Sequence, residues 1–120
     1  MRSGPAAGEV RRGEIYLADL GAPVGHEQGM VRPVLVLSAQ AWLDSHPPVV
    51  AVVPLTRTRR DSPTHVEVEP GASGLAATSY VKCEDLRAIS PERLARRFGT
   101  VEDVTLLRVE VITRRLLGLS

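Results

Sequence analysis

Three polar side chains, His26, Glu27 and Gln28, stand together between Gly25 and Gly29. Glycines at both ends let a loop move, and such loops often carry function. Arg32 follows, where a run of apolar residues begins. A buried strand has no structural need of a guanidinium there. A second apolar run ends in Thr56, Arg57 and Thr58. If the two runs are adjacent strands, Arg32 and Thr56 meet at one rim. That rim would suit an anion: arginine is permanently charged with several N–H donors, and a threonine hydroxyl adds another. A carboxylate or imidazole on the loop can move a proton. An ion pair between Arg32 and Glu27 that pins the loop explains the same residues, and spacing alone leaves both readings open.

Other chemistry finds less support. His26, His46, His65 and Cys83 are the candidate metal ligands, and no CxxC or HExxH spacing links them. No metal site and no cofactor are expected, and the histidines read as surface or loop residues. Gly71 and Gly74 match neither the phosphate-loop nor the dinucleotide pattern. Cys83 lies in an apolar-alternating stretch, so it reads as a core thiol rather than a nucleophile.

The elements that must position these residues are short. Residues 14–20 alternate as a strand does, with Ile15 and Leu17 on one face. Residues 21–29 hold three glycines and a proline and form a long loop. Residues 31–38 and 49–55 are nearly continuous apolar strands, the first with Pro33 near its start, where proline is best tolerated. A helical turn fits 39–45. Residues 65–69, 78–83 and 86–89 are strand-like, with a turn at 70–74. Ser90 caps a short helix that has Pro91 at its first position.

Residues 100–117 form the longest helix candidate. Thr100 can cap it, Arg114 and Arg115 suit its C-terminal end, and Gly118 can stop it. Val101, Val104, Leu107, Val111, Ile112, Leu116 and Leu119 share one broad face, which Arg108 and Arg115 interrupt. Those two arginines read as snorkelling at the edge of a core helix, or as part of a subunit interface. Five or six strands plus this helix suggest a small, partly open barrel over residues 11–120, behind a flexible tail at 1–10.

Composition narrows the partners. The chain has 120 residues and a net charge of +1, so attraction to nucleic acid must come from local clusters. Of the fifteen basic residues only Lys82 is not arginine, which fits phosphate recognition as well as plain base composition of the gene. Aromatics are 3 %, too few for base stacking on rings to be the main device. A single cysteine excludes an intrachain disulfide, and no apolar run approaches a membrane span or a signal peptide. A cytoplasmic protein is expected.

The blocks RRGEIYLADLG, GHEQGMVRPVLVLS, VVAVVPLT, THVEVEP, SYVKCEDLRAIS and RLARRFGTV, in this order, resemble the MazF/PemK family. These are toxin components of bacterial toxin–antitoxin pairs. The likeness runs from Arg12 to about Leu119, and GHEQGMVRPVLVLS is its specific block. It implies an α+β, mainly β fold: an SH3-like barrel with a C-terminal helix, assembled as a homodimer. It implies sequence-specific, metal-independent cleavage of single-stranded RNA, chiefly mRNA, leaving 2′,3′-cyclic phosphate and 5′-hydroxyl ends. A cognate antitoxin would wrap the dimer and block the site. The family's catalytic arginine falls on Arg32, its catalytic threonine on Thr56 and its loop glutamate on Glu27. His26, Gln28, Arg57, Thr58 and Asp85 are then expected against the RNA. Asp85 stands where the family often has Gln or Asn, which points to a different target sequence. Residues 1–10 carry no family motif.

Arginine is a poor base at its ordinary pKa above ~12. Arg32 and Thr56 are therefore expected on the phosphate, with Glu27 or His26 as the proton-transfer group. A non-enzymatic toxin of the same fold that poisons DNA gyrase is the alternative, though it would not need Arg32 and Thr56 together. An inert binding module has no evident use for the GHEQ loop.

Overall fold

The structure, a computed structural model, describes residues 4–6 and 8–120. Its strands are β1 (Glu14–Asp19), β2 (Val31–Val36), β3 (Val50–Thr56), β4 (His65–Val68), β5 (Ser79–Lys82), β6 (Arg87–Ile89) and β7 (Leu94–Thr100). The helices are α1 (Gln40–Asp44) and α2 (Asp103–Leu117). The seven strands form one curled antiparallel sheet in the order β4-β5-β3-β2-β1-β7, with β6 also on β3. This is the expected SH3-like barrel, left open between β4 and β7.

β2 and β3 are apolar at nearly every position because both their faces are buried. Val34, Val36, Val50 and Val52 pack with Tyr16, Ala18 and Leu94 on one side. Leu35, Val53 and Leu55 pack with Ile15, Val81 and Cys83 on the other. β1 follows the same logic, so its alternation does not separate core from solvent: Ile15, Tyr16 and Ala18 are all buried. The expected flexible tail falls partly on residues 1–3 and 7, which lie outside the described residues. Its last position is no tail, since Val10 is buried in the first cluster with Leu43.

β7 was not expected as a strand. Its centre, Arg96-Arg97, breaks the apolar alternation that marks a strand in sequence. The structure accounts for Arg97, whose Nε pairs with the buried carboxylate of Glu14 on β1. Tyr16 also donates its hydroxyl to Glu14, at 3.2 Å. Thr100 ends β7 rather than capping α2, and Glu102 occupies the N-cap position instead. Ser90 does cap as expected, with its Oγ accepting from the Glu92 N–H, but the helix it opens is a single turn at Pro91–Arg93.

α2 ends as its sequence indicates. Gly118 takes a left-handed φ of 70°, and Leu119 N–H reaches back to the Arg114 carbonyl at 2.8 Å. Its inward face differs from expectation. Leu106, Val109, Ile112 and Thr113 face the core, whereas Val104 and Leu107 are 51 % and 57 % exposed. The helix is apolar on more than one side, so periodicity could not choose the rotation. Arg12 chooses it, by reaching from the start of β1 to Glu110 and to the Leu37 carbonyl.

Burial pushes the Cys83 thiol up from 9.0 to about 11, and burial together with the adjacent Glu14 charge pushes Tyr16 from 10.0 to about 12. Both groups are held neutral by the fold. The unfolded chain therefore loses these protons first as pH rises, and stability falls. The melting temperature should be flat from about pH 7 to 9 and decline from pH 9 towards 12. Tyr16→Phe should flatten the upper part of that decline. An equally steep decline in the Cys83→Ala, Tyr16→Phe double variant would contradict this account.

Candidate active site

β2 and β3 pair through Val34↔Pro54, Leu35↔Val53 and Val36↔Val52. Carrying that register on by two residues sets Arg32 level with Thr56, on one side of the sheet. The ladder does not run that far. Pro33, which would face Leu55 in the continued register, has no N–H to donate, and on its other edge β3 pairs with β5, with Leu55 against Val81 and Thr56 against Tyr80. The two strands part, and a cleft of about 530 Å³ opens where they separate. Arg32, Thr56, Arg57, Thr58, Arg96 and Phe98 line it.

Thr56 is buried at the end of β3. Its Oγ1 accepts from the Thr58 N–H at 3.1 Å, which orients the hydroxyl and leaves its proton free to donate. Arg32 is exposed, and its Nε donates to the Gly29 carbonyl at 3.3 Å. That contact steadies the guanidinium while its two terminal nitrogens have no partner among the described residues. Fixed donors with spare protons, in a cleft between strands, are what an anionic group needs.

The GHEQ loop is tied down elsewhere. Glu27 Oε1 accepts from the Val24 N–H at 3.2 Å, so it closes a turn within the loop. The alternative Arg32–Glu27 ion pair is not formed. Lys82 and Asp85 make a buried pair at 3.2 Å. Lys82 Nζ also donates to the His26 carbonyl at 3.1 Å, and Asp85 Oδ2 accepts from the Gln28 N–H at 2.8 Å. Glu27, Gln28 and Asp85 line a separate cleft of about 370 Å³ with Glu84 and Arg87. Arg32, Thr56, Arg57 and Thr58 are thus brought together, and Glu27, Gln28 and Asp85 form a second group. The observed contact of His26 is made by its carbonyl. Asp85, expected against RNA, has its carboxylate on the loop backbone and Lys82.

Two cleft residues escaped the sequence reading, Arg96 and Phe98. A bulge in β7 hid them: Leu94 packs in the first cluster and Phe98 against the second, so no single face alternates through the strand. His65 also differs from the expected surface histidine. Its ring is 4 % exposed and meets Glu84 Oε2 at 3.0 Å.

Lys82→Met keeps the side-chain bulk but leaves Asp85 without its charge partner. Breaking a buried pair in this way costs about 3 kcal/mol. Amide exchange should accelerate at His26–Gln28 before it does in β2 and β3. Unchanged exchange in the loop would show that the pair is not its tether.

Comparison with known proteins agrees with this geometry. A family model described as PemK-like, MazF-like toxin of type II toxin–antitoxin system matches residues 11–117. Endoribonuclease EndoA of Bacillus subtilis (strain 168) is 34 % identical over 102 residues, which cover 84 % of this chain and 88 % of that one. MazF (Form-I) from Deinococcus radiodurans superimposes with a TM-score of 0.75 at 26 % identity, covering 89 % of this chain and 94 % of that one. An endoribonuclease from mycobacterial species, solved with its cognate antitoxin, gives a TM-score of 0.73 at 29 % identity, covering 91 % and 95 %. A family match over nearly the whole length, carried by the same fold, leaves one assignment: the chain belongs to the PemK-like, MazF-like toxins of type II toxin–antitoxin systems.

Proposed function

We infer that the cleft between β2 and β3 is where this toxin endoribonuclease cuts single-stranded RNA, sequence-specifically and without a metal. The observation that carries the reading is the convergence of Arg32 and Thr56, both with unspent donors, at the point where the strands part. In the reaction the RNA's own 2′-hydroxyl attacks the adjacent phosphorus. Its proton goes to a base, the P–O5′ bond breaks, and the leaving oxygen takes a proton. The products are a 2′,3′-cyclic phosphate and a 5′-hydroxyl. Arg32 and Thr56 stabilise the crowded anionic phosphate, and Arg57 and Thr58 guide the flanking backbone.

Glu27 is the proton acceptor in this reading. It reaches the cleft only if the turn closed on Val24 N–H opens, which glycines at 25 and 29 permit. His26 and Gln28 travel with it to the RNA, while Asp85 acts by holding the loop. The working unit is a homodimer, and a cognate antitoxin silences it by covering the cleft. No described helix is long and apolar enough to cross a membrane, and mRNA as the chief substrate places the protein in the cytoplasm.

The test is cleavage of total RNA by the purified protein in EDTA, with end mapping. Cutting that leaves 5′-hydroxyl ends, and that is lost in Arg32→Ala and in Thr56→Ala, is the expected outcome. Dependence on a divalent metal, or survival of activity in both variants, would sink the reading. Recovery of gyrase in a pull-down without RNA cleavage would favour the non-enzymatic alternative.

A further inference from the structure

β7 contributes two arginines, and a third, Arg93, stands just before it. Arg97 is spent on Glu14, and Arg93, just before the strand, donates to the Asp19 carbonyl at 3.1 Å. Arg96 has no carboxylate or carbonyl partner among the described residues. Instead its guanidinium carbon stands 4.6 Å from the centre of the Phe98 ring. Both side chains line the same cleft as Arg32 and Thr56. A guanidinium resting on an aromatic ring is held in orientation with its second face open. RNA-binding proteins stack bases on such guanidinium planes as they do on rings. In a chain this poor in aromatics, that plane replaces the missing ring.

We propose that Arg96, held by Phe98, is a specificity-determining residue that stacks the base of a nucleotide flanking the scissile phosphate. The ligand class is a nucleobase, and purines, with the larger face, are the better fit. The inference rests on the cleft being the cleavage site. Arg96 takes no part in the bond changes. Its role is to fix the register of the strand, so that the correct phosphate lies on Arg32 and Thr56. Lysine would keep the charge and lose the plane.

The experiment begins with cut sites mapped for the unaltered protein. Short oligonucleotides are then built on one site, either intact or abasic at each flanking nucleotide in turn. Cleavage by the full chain is compared for the wild type, Arg96→Ala, Arg96→Lys and Phe98→Leu, each checked for an unchanged melting temperature. Losing a base–guanidinium stack should raise KM about 5- to 100-fold for the intact oligonucleotide in both Arg96 variants. kcat should change less. At one abasic position the difference between wild type and variants should shrink to under about twofold, and the mapped cut sites should relax at that position. Phe98→Leu should show the same pattern more weakly.

Arg96→Lys performing as wild type would overturn the proposal in favour of a simple phosphate contact. Equal losses on intact and abasic oligonucleotides would overturn it too. Arg32→Ala separates the two levels. If it is dead while the Arg96 variants are normal, this inference alone fails. If Arg32→Ala cuts normally, or the wild type does not cut at all, the cleft reading fails and takes the inference with it.

Discussion

Arg32→Ala should drop RNA cleavage about 10²- to 10³-fold in single-turnover assays, with little change in melting temperature. The magnitude is that of losing one preorganised donor to a developing oxyanion, about 3–4 kcal/mol. The fold should not notice, because Arg32 is exposed and makes one long hydrogen bond, to Gly29. Arg32→Lys should recover only a small part of the rate. A lysine restores the positive charge but not the planar fork that can hold two phosphate oxygens together. Thr56→Ala should also lose most activity, and Thr56→Ser should keep much of it, since the hydroxyl and its bond from Thr58 N–H survive. A Lys variant as fast as wild type would mean that Arg32 supplies charge alone.

The second large effect is on stability. Gly74 sits at a φ of +72°, and a Cβ there would overlap the carbonyl of Phe98. Across the same contact, a Cβ on Gly99 would overlap the Ala72 carbonyl. Thr100 N–H donates to that carbonyl at 2.9 Å. The loop after β4 thus lies directly on the β7 backbone, and the two glycines make the approach feasible. Gly74→Ala adds both a steric clash with backbone and an unfavourable φ. A loss of about 3 kcal/mol or more is expected, read as a lower urea midpoint. Gly118→Ala is the control. It also has positive φ but no neighbour within 4 Å, so it should cost only about 1 kcal/mol. Equal losses at the two positions would mean that backbone conformation, not contact, sets the cost at Gly74.

Most of the barrel could be read from local pattern. β2 and β3 announced themselves as long β-branched runs, because burial on both faces leaves no polar positions to obscure them. Gly118 and Ser90 marked their helix ends through backbone demands that no other context shares. β7 was missed because its two central arginines interrupt the apolar pattern, and Arg97 answers to a partner distant in sequence, Glu14, that a local window cannot see. The rotation of α2 was missed for the same reason, as Arg12 and Glu110 set it from opposite ends of the chain.

At the candidate site, Arg32 and Thr56 were found together because strand register converts sequence distance into proximity. Glu27 was grouped with them by its place in the adjoining loop and Asp85 by family likeness, whereas the structure gives each a different local partner. Asp85 is informative here. Its carboxylate is spent on Lys82, three residues back, and on the Gln28 N–H, and nothing in the neighbouring sequence reveals the second contact.

Pro33 carries a consequence for how this protein could be altered. In the continued register it faces Leu55 and offers β3 no N–H, so the pairing of β2 with β3 stops short of Arg32 and Thr56. A residue with an N–H at position 33 would let the strands zip to their ends, gaining a hydrogen bond and closing the gap proposed to admit a phosphate. Selection for thermal robustness and selection for toxicity therefore pull in opposite directions at this position. A stabilised variant recovered from a cell that must survive its own toxin would be expected to carry its change here.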